Sequence, residues 1–417
     1  MPFQNGTWFR GSLRMKPSHP RLAGLSLCLT LVVLFGLFRY LHTLAVLLWE
    51  APFIDFAHYY TYATVIRLGQ DVFDPQVVAR ADALLAIRRA GAAANYPPLF
   101  YVLMQPWTLM AFRPAAVVWF AVSQACVFGA LALCLRRFVP PSPVGVAVTL
   151  FVAFNYQPLV ESLALGQVNA LLLVLATLAW WGARAGHPWV AAASVALCPF
   201  LKLQYALLLP ALWWLGQRRI LWRALLLVAI GLMVGLAVLG PAHHVEYIRY
   251  LLAPPDYLRT WTANISLGAT LHRLFSPHGE AWLVADGLTL AVDALLVVLF
   301  ARAIPRGVSP ALPTFDWAWA LVVTAIPLLS PLTEEHHLAV LLLPLTLILL
   351  ARWDMALLSV ESGLLLASIL LLGSRYSLER FPVFHEGIPS LLAGGKLVGA
   401  LCLAWLLTRV LTEPKQA

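Results

Sequence analysis

Charge is what this chain has least of. Asp, Glu, Lys and Arg make up 11% of its 417 residues, against about 25% in a soluble globular domain. With 61% hydrophobic residues and a mean hydropathy of +0.82, that shortage excludes a soluble domain carrying one anchor and points to a polytopic membrane protein. Cysteine is scarce too. Cys28, Cys126, Cys134, Cys198 and Cys402 lie mostly inside apolar runs and form no C-x-x-C pair, which leaves neither a metal site nor a disulfide framework indicated. No nucleic-acid-binding motif, internal repeat or low-complexity tract accompanies the net charge of +9. The excess Lys and Arg belong in short loops, where they set topology. There is no soluble domain, so residues 1–417 read as one integral membrane unit. The N-terminus lacks the short apolar core and small-residue cleavage site of a secretory signal. Arg10, Arg14, Lys16 and Arg21 instead precede an apolar run from about Leu25 to Leu48, read as an uncleaved first span behind a cytoplasmic tail, 1–24.

A spanning helix needs about 20 apolar residues. Candidate stretches fall at roughly 25–49, 97–112, 114–135, 143–165, 168–182, 188–201, 203–216, 220–240, 282–302, 317–332, 336–351, 357–373 and 391–411. They predict an all-α bundle of about 11–13 transmembrane helices. Several are short, and Pro158, Pro199, Pro210, Pro327 and Pro344 interrupt them. Broken helices are tolerated at membrane depth where they line a protein cavity. Gln217-Arg218-Arg219, Arg223, Arg302, Arg306, Arg352 and Lys415 should be cytoplasmic, which puts loops 50–96, 241–281 and 374–390 on the external face. Parity then places Arg136-Arg137 outside, against the charge rule. A bent or re-entrant pair over 143–165, around Asn155-Tyr156-Gln157-Pro158, would resolve it. In the first external loop, Tyr60 to Gly69 reads as a helix end. Asp74-Pro75 starts a second, amphipathic helix with Val77, Val78, Ala81, Leu84, Leu85 and Ile87 opposite Arg80, Asp82, Arg88 and Arg89. It either lies in the membrane interface or packs on the membrane domain.

Several polar groups interrupt this scaffold near the external level. Phe53-Ile54-Asp55-Phe56-Ala57-His58-Tyr59-Tyr60 follows the first span. A carboxylate there is costly unless it pairs, meets water or does chemistry, and it is a natural general base for a hydroxyl. His58 falls three residues on, on the same helix face. Tyr96-Pro97-Pro98 marks the return to the membrane; Gln167 and Asn169 open an apolar helix, where amides need a polar cavity. Lys202 stands about fifteen residues before Gln217-Arg218-Arg219, roughly 22 Å along a helix. That puts it near the external side, where a cation suits a phosphate. Asn264 marks the end of the second long loop. His336 and His337 are adjacent and share no helix face, so they do not form an i, i+4 zinc pair. One imidazole at a cavity mouth, donating to a phosphate or sugar, is the better reading. Each group also has a bland alternative: a helix cap or Arg67 pairing for Asp55, a belt aromatic for Tyr96, interhelical bonding for Gln167 and Asn169, snorkelling for Lys202, a polar turn for the His pair. Arg39 and His42 need a partner or a cavity as well.

The order of these elements carries a resemblance. A first span, an Asp-containing segment with Tyr pairs, Gly69-Gln70-Asp71 and Tyr96-Pro97-Pro98-Leu99 come first. Gly166-Gln167-Val168-Asn169, a Lys in a broken helix before Arg218-Arg219, Asn264-Ile265-Ser266-Leu267 and Ser330-Pro331-Leu332-Thr333 with His336-His337 follow. Over about Arg39 to Pro344 the chain resembles family 87 of the glycosyltransferases, polyprenyl-phosphate-mannose-dependent mannosyltransferases of GT-C fold. The resemblance implies a GT-C-type bundle and a reaction on the extracytoplasmic face of the cell membrane. An acceptor hydroxyl on a lipid-linked or envelope glycan displaces a polyprenyl phosphate from the sugar with inversion. It implies Asp55 as catalytic base, and His58, Tyr59, Tyr96, Gln167, Asn169, Lys202, Asn264, His336 and His337 as substrate-binding positions, one of the His pair on the donor phosphate. No cofactor is implied beyond the lipid-phosphate sugar donor, and no spacing demands a metal. Two departures stand out. Lys202-Leu203-Gln204 replaces the common Lys-Pro, and Thr333-Glu334-Glu335 stands where an aromatic often precedes the His. The competing readings are a lipid or sugar transporter, and a structural subunit of an envelope complex. Long structured loops on one face only, without a symmetric repeat, speak against transport.

Overall fold

The computed structural model describes residues 20–87, 94–138, 142–253, 255–276, 282–352, 359–375 and 378–412. Arg10, Arg14, Lys16, Arg88, Arg89 and Lys415 lie outside the described residues. Every regular element among the described residues is helical. The first is α1 (Pro20–Glu50), then α2 (Ile54–Arg67), α3 (Pro75–Leu85) and α4 (Pro98–Met104), which runs into a 3-10 turn at Gln105–Leu109. Next come α5 (Phe112–Arg137), α6 (Pro143–Phe154), α7 (Gln157–Leu165), α8 (Asn169–Arg184) and α9 (Pro188–Leu201). A 3-10 turn at Leu203–Leu207 leads into α10 (Leu208–Trp214), followed by α11 (Arg218–Leu252), α12 (Tyr257–Thr260), α13 (Leu267–Phe275), α14 (Trp282–Ala303) and α15 (Pro313–Leu328). The turn Glu335–Leu341 becomes α16 (Leu342–Ala351), and α17 (Val360–Gly373), α18 (Ser390–Ala393) and α19 (Gly395–Thr412) complete the order. Five of these helices are long and apolar enough to cross a membrane, six with the α6–α7 pair, which bends by 41°. The protein is an all-α polytopic membrane protein.

Hydrogen bonds between distant segments define two ends of the bundle. At one end Arg137 and Arg184 both meet Asp316, at 3.5 and 2.9 Å, and the Gln217 amide reaches Val308 O at 2.8 Å. At the other, Arg113 bonds the carbonyls of Ala51 and Trp49 at the close of α1, and Gln167 bonds Asp55. α5 therefore runs from the Asp55 end to the Asp316 end, α6–α7 returns as a bent crossing, and α8 goes back. The proposed bend near Asn155 exists, but the crossing that fails is elsewhere. The stretch 97–112 begins at Tyr96, beside Gln167, and closes at Met110, whose carbonyl accepts the Tyr60 phenol at 2.7 Å. Both its ends lie at the Asp55 end, so α4 and its 3-10 turn dip in and come back. Removing that span corrects the parity and puts Arg136-Arg137 on the same side as Arg184 and Arg218.

Helix length follows position. α1, α11 and α14 present apolar residues such as Phe38, Met233 and Leu290 outward, as lipid-facing spans do. α8, with 16 residues, is roughly 24 Å long, short of the ~30 Å bilayer core. It is buried among neighbours, with Trp180 and Leu172 fully enclosed. α11 breaks at Gly240, whose backbone (φ 74°, ψ 170°) no helix contains, and Pro241 restarts it. α3 begins as the sequence predicts: Asp74 caps it by accepting the Gln76 amide at 2.8 Å. Val78, Ala81 and Ile87 are buried, while Leu84 is exposed. Arg39 and His42 lie on the exposed face of α1, so neither reaches the polar cluster.

Candidate active site

α2 is placed by aromatic packing. Phe53, enclosed and held at a left-handed φ of 47°, turns the chain out of α1. A left-handed backbone is uncommon for so bulky a side chain and persists only where its surroundings enforce it. Phe56 then stacks between Phe112 and Trp119, with ring centroids at 6.0 and 5.5 Å. The Trp119 indole donates to Gly166 O at 2.8 Å. Gly166 itself (φ +73°) faces Phe56, and a Cβ there would sit 2.6 Å from the Phe56 Cβ. Only glycine allows both the turn and this approach, and the approach is what brings Gln167 to Asp55.

At that junction one hydrogen-bond chain fixes the carboxylate. The Tyr59 phenol donates to Gln167 Oε1 at 2.7 Å and contacts the Tyr96 phenol at 2.8 Å; Tyr96 reaches the same Oε1 at 3.2 Å. With its carbonyl so occupied, Gln167 presents Nε2 to Asp55 Oδ2 at 2.9 Å. Oδ1 has no hydrogen-bond partner among the described residues. α2 lies outside the spanning segments, and burial lifts the Asp55 carboxyl to about 6, against the pull of the Gln167 hydrogen bond and the Lys202 charge. A carboxylate with one oxygen held and one free, ionised just below neutrality, has the form of a general base.

Lys202 supplies the opposite charge. Pro199 lies in the last turn of α9, and Lys202 is extended (φ −149°, ψ 120°) between that helix and the next 3-10 turn. Ser330 Oγ donates to Gln204 Oε1 at 3.1 Å, tying this break to the turn before Glu334. Lys202 is 7% exposed, and its Nζ has no hydrogen-bond partner among the described residues. It lies within electrostatic reach of Asp55, Glu334, His336 and His337. A buried ammonium that bonds to nothing is costly unless an anion completes it.

The two histidines do different work. His337 Nδ1 accepts the Glu334 amide at 3.2 Å, half of a capping box that starts the Glu335–Leu341 turn. His336 is 1% exposed, and neither of its ring nitrogens has a hydrogen-bond partner among the described residues. Nδ1 stands 3.9 Å from Glu334 Oε2. His336 is thus the imidazole with donor capacity to spare. Glu334, His336 and His337 bring potential ligand atoms within 4.8 Å of one another, a donor set suggestive of a divalent cation. The His337 tautomer opposes that reading: with Nδ1 accepting an N–H, the ring proton sits on Nε2, leaving two ligands where three or four are usual.

The remaining positions divide. The Asn264 amide nitrogen donates to Leu258 O and Pro331 O, and its oxygen accepts the amides of Ser266 and Thr333. Its capacity is spent pinning the second long loop to the 331–333 turn, which leaves none for a ligand. His58 stacks on Tyr62 at 4.3 Å, with Nε2 3.2 Å from the Tyr101 phenol. Asn169 is fully buried, 3.4 Å from Ser162 Oγ. Sequence reasoning passed over Glu161 and Lys396, which lie near Glu335. Lys396 pairs with Glu335 at 2.8 Å, and Glu161 lies in electrostatic reach of Glu334, Glu335 and Asp55. The available signal was a Glu inside the apolar stretch 143–165 and a Lys opening the last span.

A carboxyl with one oxygen free, an uncommitted lysine amine and an unsatisfied imidazole thus stand on neighbouring elements, and comparison with known proteins gives the family. The profile of glycosyltransferase family 87 matches residues 95–331, more than half the chain. The chain belongs to this family, and it is an integral membrane protein. It is similar to the polyprenol-phosphate-mannose-dependent alpha-(1-2)-phosphatidylinositol pentamannoside mannosyltransferase of Mycobacterium tuberculosis (strain CDC 1551 / Oshkosh). The two are 25% identical over 257 residues, 58% of this chain and 55% of the relative, so the likeness spans about half the length of that protein. No solved structure matches the chain significantly. The matched region holds Tyr96, Glu161, Gln167 and Lys202; Asp55 and His336 lie outside it and join them only in three dimensions.

Proposed function

We propose that this protein moves a hexosyl group, mannose first, from a polyprenyl-phosphate donor to a hydroxyl of a lipid-linked or envelope acceptor, with inversion, at the extracytoplasmic face. The observation that carries this reading is the pairing of Asp55, with one oxygen fixed by Gln167 and the other free, with a buried, uncommitted Lys202. The printed function of the mycobacterial relative, polyprenol-phosphate-mannose-dependent mannosyl transfer, supports the donor class. Arg137, Arg184, Arg218, Arg219, Arg302 and Arg352 belong to the end opposite Asp55, which supports an external site by the positive-inside tendency.

In this mechanism the acceptor oxygen attacks the anomeric carbon as Asp55 Oδ1 takes the hydroxyl proton. The bond from that carbon to the phosphate oxygen breaks, and polyprenyl phosphate leaves with the electron pair. Lys202 and an N–H of His336 meet the charge on the departing phosphate. Tyr59, Tyr96 and Gln167 hold the base in place and do not exchange protons.

The test is transfer from a panel of radiolabelled polyprenyl-phosphate sugars to membrane lipids by purified protein in nanodiscs. Transfer from one donor, lost in Asp55→Asn with folding and donor binding retained, is the expected outcome. Transfer that persists in Asp55→Asn rejects the base; no transfer from any donor by folded wild type rejects the reaction.

A further inference from the structure

Glu161 stands in the middle of α7, on a segment inserted in the bundle. It is half-buried, and its Oε2 is shut off from solvent. Among the described residues its carboxyl makes no hydrogen bond and no ion pair. The nearest cation does not serve it. Lys396 is committed to Glu335 at 2.8 Å and to the carbonyls of Leu372 and Ser374 at 2.8 and 2.6 Å. Helix capping does not explain it either, because α7 starts four residues earlier and ends four later. A carboxyl with one oxygen shut off from solvent and no partner among the described residues, within an apolar bundle, needs a reason.

Its surroundings supply one. α7 packs against the Glu335–Leu341 turn, with the Tyr156 phenol on Leu338 O at 2.9 Å. That turn carries His336, 1% exposed with both ring nitrogens unsatisfied. Two unfulfilled polar side chains thus stand on two elements packed against each other, and Glu161 is in electrostatic reach of Glu335, Glu334 and Asp55. The proposed reaction already assigns the proton to Asp55 and the phosphate to Lys202 and His336. It leaves the ring hydroxyls of the transferred sugar, which are hydrogen-bond donors, without an acceptor. A carboxyl with neither oxygen hydrogen-bonded has capacity for such hydroxyls.

Resting on that reading, we propose that Glu161 is a specificity-determining residue whose carboxyl accepts hydrogen bonds from hydroxyls of the donor sugar. The experiment compares wild type, Glu161→Gln and Glu161→Ala in nanodiscs. The probes are polyprenyl-phosphate mannose, its monodeoxy analogues and a matched deoxy series of acceptors. Glu161→Ala is expected to lower kcat/KM for the intact donor roughly ten- to hundredfold, as leaving a buried hydrogen-bonding group without its partner does, with Glu161→Gln in between. One monodeoxy donor should show no further loss on mutation, because the hydroxyl and the carboxyl are the same contact. Thermal stability of both variants should match or exceed wild type, since an unpaired buried carboxyl is removed. An equal loss for every donor, a lowered melting temperature in both variants, or a deoxy dependence seen only in the acceptor series overturns the proposal. Unchanged kinetics in an active enzyme overturns this subsite alone; a folded wild type that uses no polyprenyl-phosphate sugar overturns the function and the subsite together.

Discussion

Two aspartates, Asp316 buried and Asp55 half-buried, stand at opposite ends of this bundle, and they are solved in opposite ways. Asp316, 2% exposed, is met by Arg184 at 2.9 Å, by Arg137 at 3.5 Å and by the Trp180 indole at 2.7 Å. Those partners come from α5 and α8, so the carboxylate ties three helices together. Among the described residues Asp55 has one neutral donor, Gln167, and a free oxygen, while the nearby Lys202 Nζ has no hydrogen-bond partner. The same residue type is a rivet at one end and, in the proposed reaction, a reagent at the other. A buried charge that is fully paired holds structure; one left incomplete beside an incomplete opposite charge has room for a substrate.

Breaking each centre should therefore give opposite signatures. Asp55→Asn is expected to cost the largest factor, roughly 10²–10⁴ in turnover, the usual range for a lost general base. Its melting temperature should be preserved; a residual rate near wild type by radiolabel transfer would end the comparison. Asp316→Ala should do the reverse. It strands two guanidinium groups, costing roughly 3–5 kcal/mol of stability, visible in detergent melting, while the rate per folded molecule holds. Lys202→Met should lower kcat/KM by roughly a hundredfold through the phosphate, about the effect of one lost transition-state donor. Product inhibition by free polyprenyl phosphate should weaken in parallel, and unchanged inhibition would assign Lys202 elsewhere.

The smallest effect is the sharpest. The base works ionised, so transfer should rise with pH through about 6, where burial places Asp55, and fall away below it. Gln167 and Lys202 both favour the ionised form. Gln167→Met should accordingly move the acid limb of the kcat/KM profile to higher pH with a modest loss at the plateau. An unmoved limb would show that a different group titrates there.

Much of the scaffold was legible beforehand, because apolar runs, charge clusters and proline breaks are local signals. Asp74 as a cap, the broken segment around Lys202 and the bend near Asn155 were all readable. The failure of 97–112 to cross was not. A seven-residue helix and a 3-10 turn have the composition of a span, and only the Tyr60 bond to Met110 and the Arg113 bonds to Ala51 and Trp49 show both ends on one side. Asn264 looked like a ligand because an amide at a membrane boundary needs partners; it has four, all from its own chain.

What the sequence by itself determined is the class: too little charge and too many apolar runs for anything but a helical membrane bundle, with a carboxylate, a cation and histidines at one level. Which of those groups is free only the tertiary structure decided. Hydrogen-bonding capacity is finite, and its use depends on neighbours far away in the chain. Gly166 admits Phe56, which sets Asp55 against Gln167, 112 residues on. His337 spends its nitrogen on a cap while His336 keeps both of its own. Adjacent residues of one type, indistinguishable in sequence, are separated by what each has left to offer.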